Sequence, residues 1–296
     1  MTALEVVGLC KRYGAVRALH DVSFAVAAGE IFGYLGPNGA GKTTTLRILA
    51  GLVHADAGTA QLLGAPAGDA ATRARIGYLP GELRLYGGMT ANAILDRFAR
   101  FRPQRPPVLR ARLLEALQLS TSDLARRIKL LSHGTKQKIG IVIAMQHDPN
   151  LLLLDEPTTG LDPLVQRAFR AVLQERAAAG RAILLSSHVL SEVEATCHRV
   201  AVLRAGEMLA VEEIETLRSR MVRSVQLRAR QDLPAALATV PGVAKAEIHG
   251  RDAVLWIHGD PNPVLRAVAQ LDVERFVFAE QQLEDVFLDL FAGEKP

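Results

Sequence analysis

Gly36-Pro37-Asn38-Gly39-Ala40-Gly41-Lys42-Thr43 matches the phosphate-loop pattern G-x-x-x-x-G-K-[ST] at every fixed position. The glycines let the backbone curl so that successive amide N–H groups point at phosphate oxygens. Lys42 then supplies a point charge for the β- and γ-oxygens, and the Thr43 hydroxyl is placed to ligate Mg²⁺. Further chemistry lies downstream. Asp155 and Glu156 follow the apolar run Leu151-Leu152-Leu153-Leu154. A carboxylate at the end of a buried strand can hold Mg²⁺, and its neighbour can polarise an attacking water. Ser132 and Gly134, within Leu131-Ser132-His133-Gly134-Thr135-Lys136-Gln137-Lys138, offer a hydroxyl and a backbone N–H at a helix start, a second anion site. Asp162 ends Gly160-Leu161-Asp162, just beyond Glu156. His188 sits at a strand terminus, where its ring can hydrogen-bond a γ-phosphate. Upstream, Tyr13-Gly14 offers an aromatic face for a base, a contact worth roughly 1–3 kcal/mol in nucleic-acid systems. Together these residues fit the binding of a nucleoside triphosphate. The phosphate loop alone leaves kinase, GTPase, helicase and transport ATPase open.

Such groups need particular elements to position them. Residues 30–35 are expected as a strand entering the loop and residues 44–50 as a helix leaving it, so that the helix N-terminus faces the anion. Residues 4–10 and 22–26 are expected as short strands with a polar loop, 11–21, between them. Residues 58–64 and 76–79 follow as strands. Thr90 is a fitting N-cap for a helix with Ile94, Leu95, Phe98 and Phe101 on one face. The Pro-rich stretch 102–107 breaks it. A second helix is expected to start at Pro107 and to turn Val108, Leu109, Leu113, Leu114 and Leu117 inward. The continuous apolar run at 151–154 is of the kind buried in a parallel sheet. A helix over 165–179 then leads to a strand at 182–185, which ends at Ser186-Ser187-His188. A hairpin is expected around Ala205-Gly206. Beyond about residue 215 the order strand (225–230), helix (233–240), strands (243–248 and 253–258), helix (263–271), strand (275–278) is that of a β-α-β-β-α-β module. An amphipathic helix over 283–291 follows. This segment carries no phosphate loop and no catalytic cluster, which suits a regulatory or packing role.

The chain has 296 residues, nearly half of them hydrophobic, and a formal charge of +4. Core formation is no difficulty at that size. Charge is unevenly spread: residues 84–138 hold twelve Lys/Arg against the acids Asp96, Glu115 and Asp123. A patch of that kind suits nucleic acid, an anionic membrane surface or an acidic partner. Cys10 and Cys197 stand far apart, in no disulfide or zinc pattern, which fits a reducing, cytosolic setting. The N-terminal residues lack a basic region and apolar core, so no signal peptide is expected. Apolar runs such as 141–145 are far short of a bilayer span, so any membrane role is expected to come through a partner.

In order and spacing, these motifs resemble the nucleotide-binding subunit of an ATP-binding cassette (ABC) transporter, from about residue 4 to residue 210. The signature-like octapeptide followed by Leu154-Asp155-Glu156-Pro157 is highly specific. The resemblance implies an α/β P-loop NTPase core with antiparallel β and α-helical subdomains, over residues 1–215. The helical subdomain falls at about 84–138, while the element order beyond about residue 215, not the resemblance, gives a small α+β ferredoxin-like domain at 216–296. The resemblance implies ATP and Mg²⁺ as ligands. Tyr13 becomes the adenine-stacking aromatic, and residues 36–43 with Thr44 the Walker A loop. Asp155 becomes the Walker B aspartate, Glu156 the catalytic glutamate and His188 the switch histidine. Ser132 and Gly134 belong to the signature, and Asp162 to the loop that crosses a dimer interface. The implied partners are a second ATP-binding subunit and a separate transmembrane permease, which would hold the chain at the cytoplasmic face of the membrane. Repair and chromosome ATPases of this kind carry coiled-coil or zinc insertions. Only about ninety residues separate Lys42 from Ser132 here, without heptads or paired cysteines. Translation-factor cassettes usually come in tandem, and this one is single. Nucleic acid is therefore not the expected partner. A short extension ending in Leu283-Glu284-Asp285-Val286-Phe287-Leu288 resembles the ABC-2-type, drug- and polymer-exporting subfamily.

Two motifs depart from the family pattern. The signature reads LSHGT in place of LSGGQ, keeping its Ser and second Gly. Gly81 stands where the family places a Mg²⁺-ligating glutamine, and Glu82 beside it is a candidate substitute oxygen ligand.

Overall fold

The continuous burial of residues 151–155 and 182–187 sets the architecture of the nucleotide-binding half. Every residue of the strands Leu151–Asp155, Ala182–Ser187 and Ile31–Leu35 is buried, as strands covered on both faces must be. The computed structural model describes residues 1–220, 223–257 and 260–280. They form two units, Met1–Glu212 and a second that begins at Glu213.

In the first unit a six-stranded sheet has the order Glu207–Glu213, Arg199–Arg204, Ile31–Leu35, Ala182–Ser187, Leu151–Asp155, Ile76–Leu79. The strand Ile31–Leu35 is parallel to both its neighbours, and Ala182–Ser187, Leu151–Asp155 and Ile76–Leu79 continue in parallel. Register puts Leu35 opposite Ser187 and Asp155 opposite Ser186. The phosphate loop, Asp155-Glu156 and His188 thus leave the sheet at one edge, the carboxyl ends of its strands. That is where ligands bind in open α/β sheets.

A four-stranded antiparallel sheet, ordered Val16–Ala27, Thr2–Tyr13, Ala57–Leu62, Ala65–Pro66, packs into the same core through Leu4, Leu9, Leu19, Phe24 and Leu62. Residues 11–21 are not a loop. The strands Thr2–Tyr13 and Val16–Ala27 run on as a hairpin, with Tyr13 opposite Val16. Gly14 takes the left-handed conformation (φ +59°) that a tight hairpin turn requires. The charges that made this stretch read as a loop lie on its exposed end, where Lys11 pairs with Asp56 at 2.7 Å.

The basic block contains the helices Ala91–Arg100, Arg110–Ala116 and Thr121–Ala125, and leads into His133–Met145. Thr90 caps the first, accepting from Ala93 N–H. The second begins at Arg110 rather than Pro107, and Val108 and Phe101 are exposed rather than inward. Its start is fixed from outside: Leu109 N–H donates to Gln146 O at 3.0 Å, and the Arg110 guanidinium donates to Gln146 Oε1 and Asp96.

In the second unit four strands pair antiparallel in the order Val243–His249, Asp252–Ile257, Arg223–Ala229, Val273–Glu280. Val225, Leu227, Leu255 and Ile257 line one face and pack with Val264 of the helix Asn262–Val268. The helix expected over 233–240 is only the 3₁₀ segment Ala235–Thr239. Pro234 and Pro241-Gly242 bracket it too closely for longer i→i−4 bonding. The helix expected over 283–291 lies outside the described residues.

Candidate nucleotide-binding site

The strand Ile31–Leu35 runs into the phosphate loop, and the helix Lys42–Leu49 runs out of it. Gly36 and Gly41 are required for different reasons. A Cβ at Gly36 would lie 2.3 Å from the Leu203 carbonyl oxygen, whereas Gly41 needs a left-handed φ of +108° and meets Ala18 O at 2.5 Å. The return strand of the Tyr13 hairpin therefore passes directly against the loop. Pro37, Asn38 and Gly39 are exposed, Ala40 is buried, and Ala40 O accepts from Gly206 N–H at 3.0 Å. No side chain caps the helix and no acid sits in its first turn, so the free N–H groups and the positive end of the dipole suit an anion. Thr44, half-buried, belongs to that first turn.

Lys42 is only 5% exposed, and its ammonium donates to Gly36 O at 2.6 Å and Pro37 O at 3.2 Å. It also stands 3.5 Å from Glu156 Oε1. Thr43 Oγ1 donates to Asp155 Oδ2 at 2.7 Å, joining the loop to the end of a strand more than a hundred residues away in sequence. Asp155 is fully buried, and Ser186 Oγ donates to its other oxygen at 2.6 Å. His188 Nδ1 lies 3.1 Å from Glu156 Oε1, with its ring nearly half exposed. The structure thus brings Lys42, Thr43, Asp155, Glu156 and His188 together. Thr43 and Asp155 present hard oxygens side by side, which fits Mg²⁺.

Glu156 is in the left-handed conformation, φ +47°. Its N–H is directed at Ser186 O (3.2 Å) and Ser186 Oγ (3.1 Å). Such a backbone persists in a non-glycine residue when its surroundings over-determine it. Ser186 therefore serves both carboxylate residues, a role its place at a strand end did not reveal. Replacing Ser186 by Ala leaves the buried Asp155 one donor short and should lower stability by about 1–3 kcal/mol. Urea unfolding of the two proteins measures this.

Tyr13 ends its strand 46% exposed, with Lys11 Nζ 5.6 Å from the ring centroid. Ser132, Gly134 and Asp162 are placed differently. No hydrogen bond or ion pair among the described residues joins them to the phosphate loop. Ser132 caps the helix His133–Met145 by accepting from Thr135 N–H, and Asp162 caps Pro163–Ala178 by accepting from Val165 N–H. The Val165 N–H holds the Asp162 carboxyl below the usual range. Gly81 lies against the Walker-type aspartate: a Cβ there would be 3.0 Å from Asp155 Oδ2. Glu82 does not take that place. Its side chain is 75% exposed and paired with Arg84 at 3.1 Å.

The model of the family described as "ABC transporter" matches residues 19–159. The chain is 36% identical to the Nod factor export ATP-binding protein I of Paraburkholderia xenovorans (strain LB400), over 99% of this chain and 98% of that protein. Among solved structures, one described as the ATP binding subunit of an ABC transporter is 33% identical, with a TM-score of 0.65, covering 73% of this chain and 92% of the other. A dimeric bacterial ABC transporter cassette superposes with the same TM-score at 20% identity, over 71% and 98% of the two chains, and shows the fold alone. With a relative matched along nearly its whole length and the phosphate loop, buried aspartate and strand-end histidine in one place, the chain belongs to the ABC transporter ATP-binding proteins.

Proposed function

We propose that this ATPase is the energising subunit of an export-type ABC transporter, closing with a second cassette around two ATP molecules and driving a separate permease. The observation that carries the reading is the gathering of Lys42, Thr43, Asp155, Glu156 and His188 at the carboxyl ends of three parallel strands. The amides of residues 36–43 cradle the phosphates, Thr44 adds a first-turn donor, and Tyr13 stacks on adenine. Thr43 and Asp155 would hold Mg²⁺, which when bound neutralises charge between the phosphates. Glu156 takes the proton of the attacking water, and Lys42 and His188 stabilise charge on the γ-phosphate. Ser132, Gly134 and Asp162 serve the partner's nucleotide, which fits their having no hydrogen bond or ion pair, among the described residues, to their own loop.

Export is favoured by likeness to the export ATP-binding protein over almost the whole chain, including the C-terminal extension. We assign that extension a regulatory or packing role as a ferredoxin-like domain. Among the described residues no helix is long and apolar enough to cross a membrane. The permease contact is assigned to the basic block, where Leu85, Tyr86, Ile94, Phe98 and Phe101 line an open apolar cavity of about 420 Å³ flanked by Arg84 and Arg97. That contact would hold the chain at the cytoplasmic membrane face, with no nucleic acid as partner. Light scattering tests the dimer. With ATP and Mg²⁺, Glu156→Gln protein should double its mass, and with ADP it should not. A protein that stays monomeric in ATP overturns the paired-cassette reading.

A further inference from the structure

Gln137 is the only polar side chain among the buried residues of the helix His133–Met145, at 3% exposure. Its amide Nε2 donates to two backbone carbonyls, Glu156 O at 3.3 Å and Pro157 O at 3.1 Å. A carboxamide has two N–H donors, and here each has its acceptor. The peptide units around Glu156 are therefore held from both sides. The strand Ala182–Ser187 grips the N–H through Ser186, and Gln137 grips the carbonyl side.

The helix touches this loop at two further points. A Cβ at Gly134 would lie 2.4 Å from Gly160 O, so helix and loop backbones are in direct contact. Lys138 Nζ stands 3.8 Å from Asp162 Oδ2. Positions 134, 137 and 138 are spaced i, i+3 and i+4, which puts them on one face of a helix. One helix face thus engages residues 156, 157, 160 and 162 in turn. The left-handed Glu156 turn and the first two turns of the helix form one piece.

We propose that Gln137 is a positioning residue for Glu156, fixing the turn that aims its carboxylate and making that carboxylate follow the helix whose start bears Ser132 and Gly134. The inference rests on the reading of Glu156 as the base. Its consequence is directional. A nucleotide drawn onto the Ser132 end of this helix moves the base that acts on the other nucleotide, the one in this chain's own phosphate loop. Misplacing a reacting group by about 1 Å can cost about 10²-fold in rate. An anchor on the carbonyls of Glu156 and Pro157 guards against that.

The test compares kcat and nucleotide affinity in two variants. Gln137→Met keeps the length of the side chain and removes both donors. It should lower kcat by roughly ten- to a hundredfold while leaving the Kd for ATP within about twofold. Introduced into Glu156→Gln protein, it should cause no further loss of the residual rate, because residues acting as a unit are not additive. Gln137→Glu keeps a donor only while protonated. Its kcat relative to wild type should fall as pH rises from about 6 to about 9, the range into which burial pushes such a carboxyl. An unchanged kcat in Gln137→Met, an equal loss in both backgrounds, or a Gln137→Glu profile parallel to wild type overturns the proposal. Wild-type turnover by Glu156→Gln alone would overturn the base assignment itself, and that is seen before Gln137 is touched. If Gln137→Met fails to fold, the isosteric Gln137→Glu profile decides.

Discussion

Glu156→Gln should lower ATP hydrolysis by about 10²–10⁴-fold, the range for loss of a positioned general base, and leave ATP binding intact. Both halves of that expectation come from geometry. The carboxylate is held by His188 at 3.1 Å and Lys42 at 3.5 Å, and a glutamine keeps its shape and an oxygen for those donors. What glutamine lacks is basicity. The backbone bonds from Ser186 and Gln137 are to main-chain atoms of residue 156 and survive the change, so the fold around the site should be retained. Single-turnover hydrolysis measured beside equilibrium ATP binding separates the two effects. A variant that hydrolyses ATP at the wild-type rate removes Glu156 from the chemistry.

Lys42→Met acts on binding. The ammonium is almost wholly buried, and it is hydrogen-bonded to two carbonyls of the phosphate loop itself. Methionine fills the channel but offers no charge to phosphate oxygens and no clasp for Gly36 and Pro37. Hydrogen bonds to a charged group are worth about 1.5–3 kcal/mol, so ATP affinity should weaken by roughly ten- to a hundredfold. The loss also removes the ammonium 3.5 Å from Glu156 Oε1, so hydrolysis at saturating ATP should fall as well. Calorimetric titration with ATP measures the first effect and initial rates the second. Unchanged affinity would mean that the loop amides alone hold the nucleotide.

Much of this site can be read from the chain because its parts are local. Residues 36–43 carry their own conformation in their glycines. The all-apolar 151–154 declares a strand with two covered faces, and Asp155-Glu156 is attached to its end. What escapes a linear reading is brought in by register. Ser186 becomes the donor to Asp155 only because the sheet sets them opposite one another. Gln137 looks like one more polar residue of a helix start until the loop 156–162 packs on it. The errors have the same origin. Lys11, Arg12 and Arg17 look like loop residues, yet they ride on the exposed end of a long hairpin. Leu109 and Arg110 are drawn into a helix start by Gln146, which no local signal announces. Glu82 is next to the position of interest in sequence, but Gly81 is the one that faces Asp155.

The strand order has a consequence for synthesis. Ala182–Ser187 lies between Ile31–Leu35 and Leu151–Asp155 in the sheet, although it follows both in the chain. Asp155 therefore has no neighbouring strand on the phosphate-loop side until about 140 further residues after Thr43 have been made. Pairings so distant in sequence are slow to form. Nucleotide capture then reports on the centre of the sheet: a nascent chain that holds ATP firmly has already placed Ala182–Ser187 between Ile31–Leu35 and Leu151–Asp155.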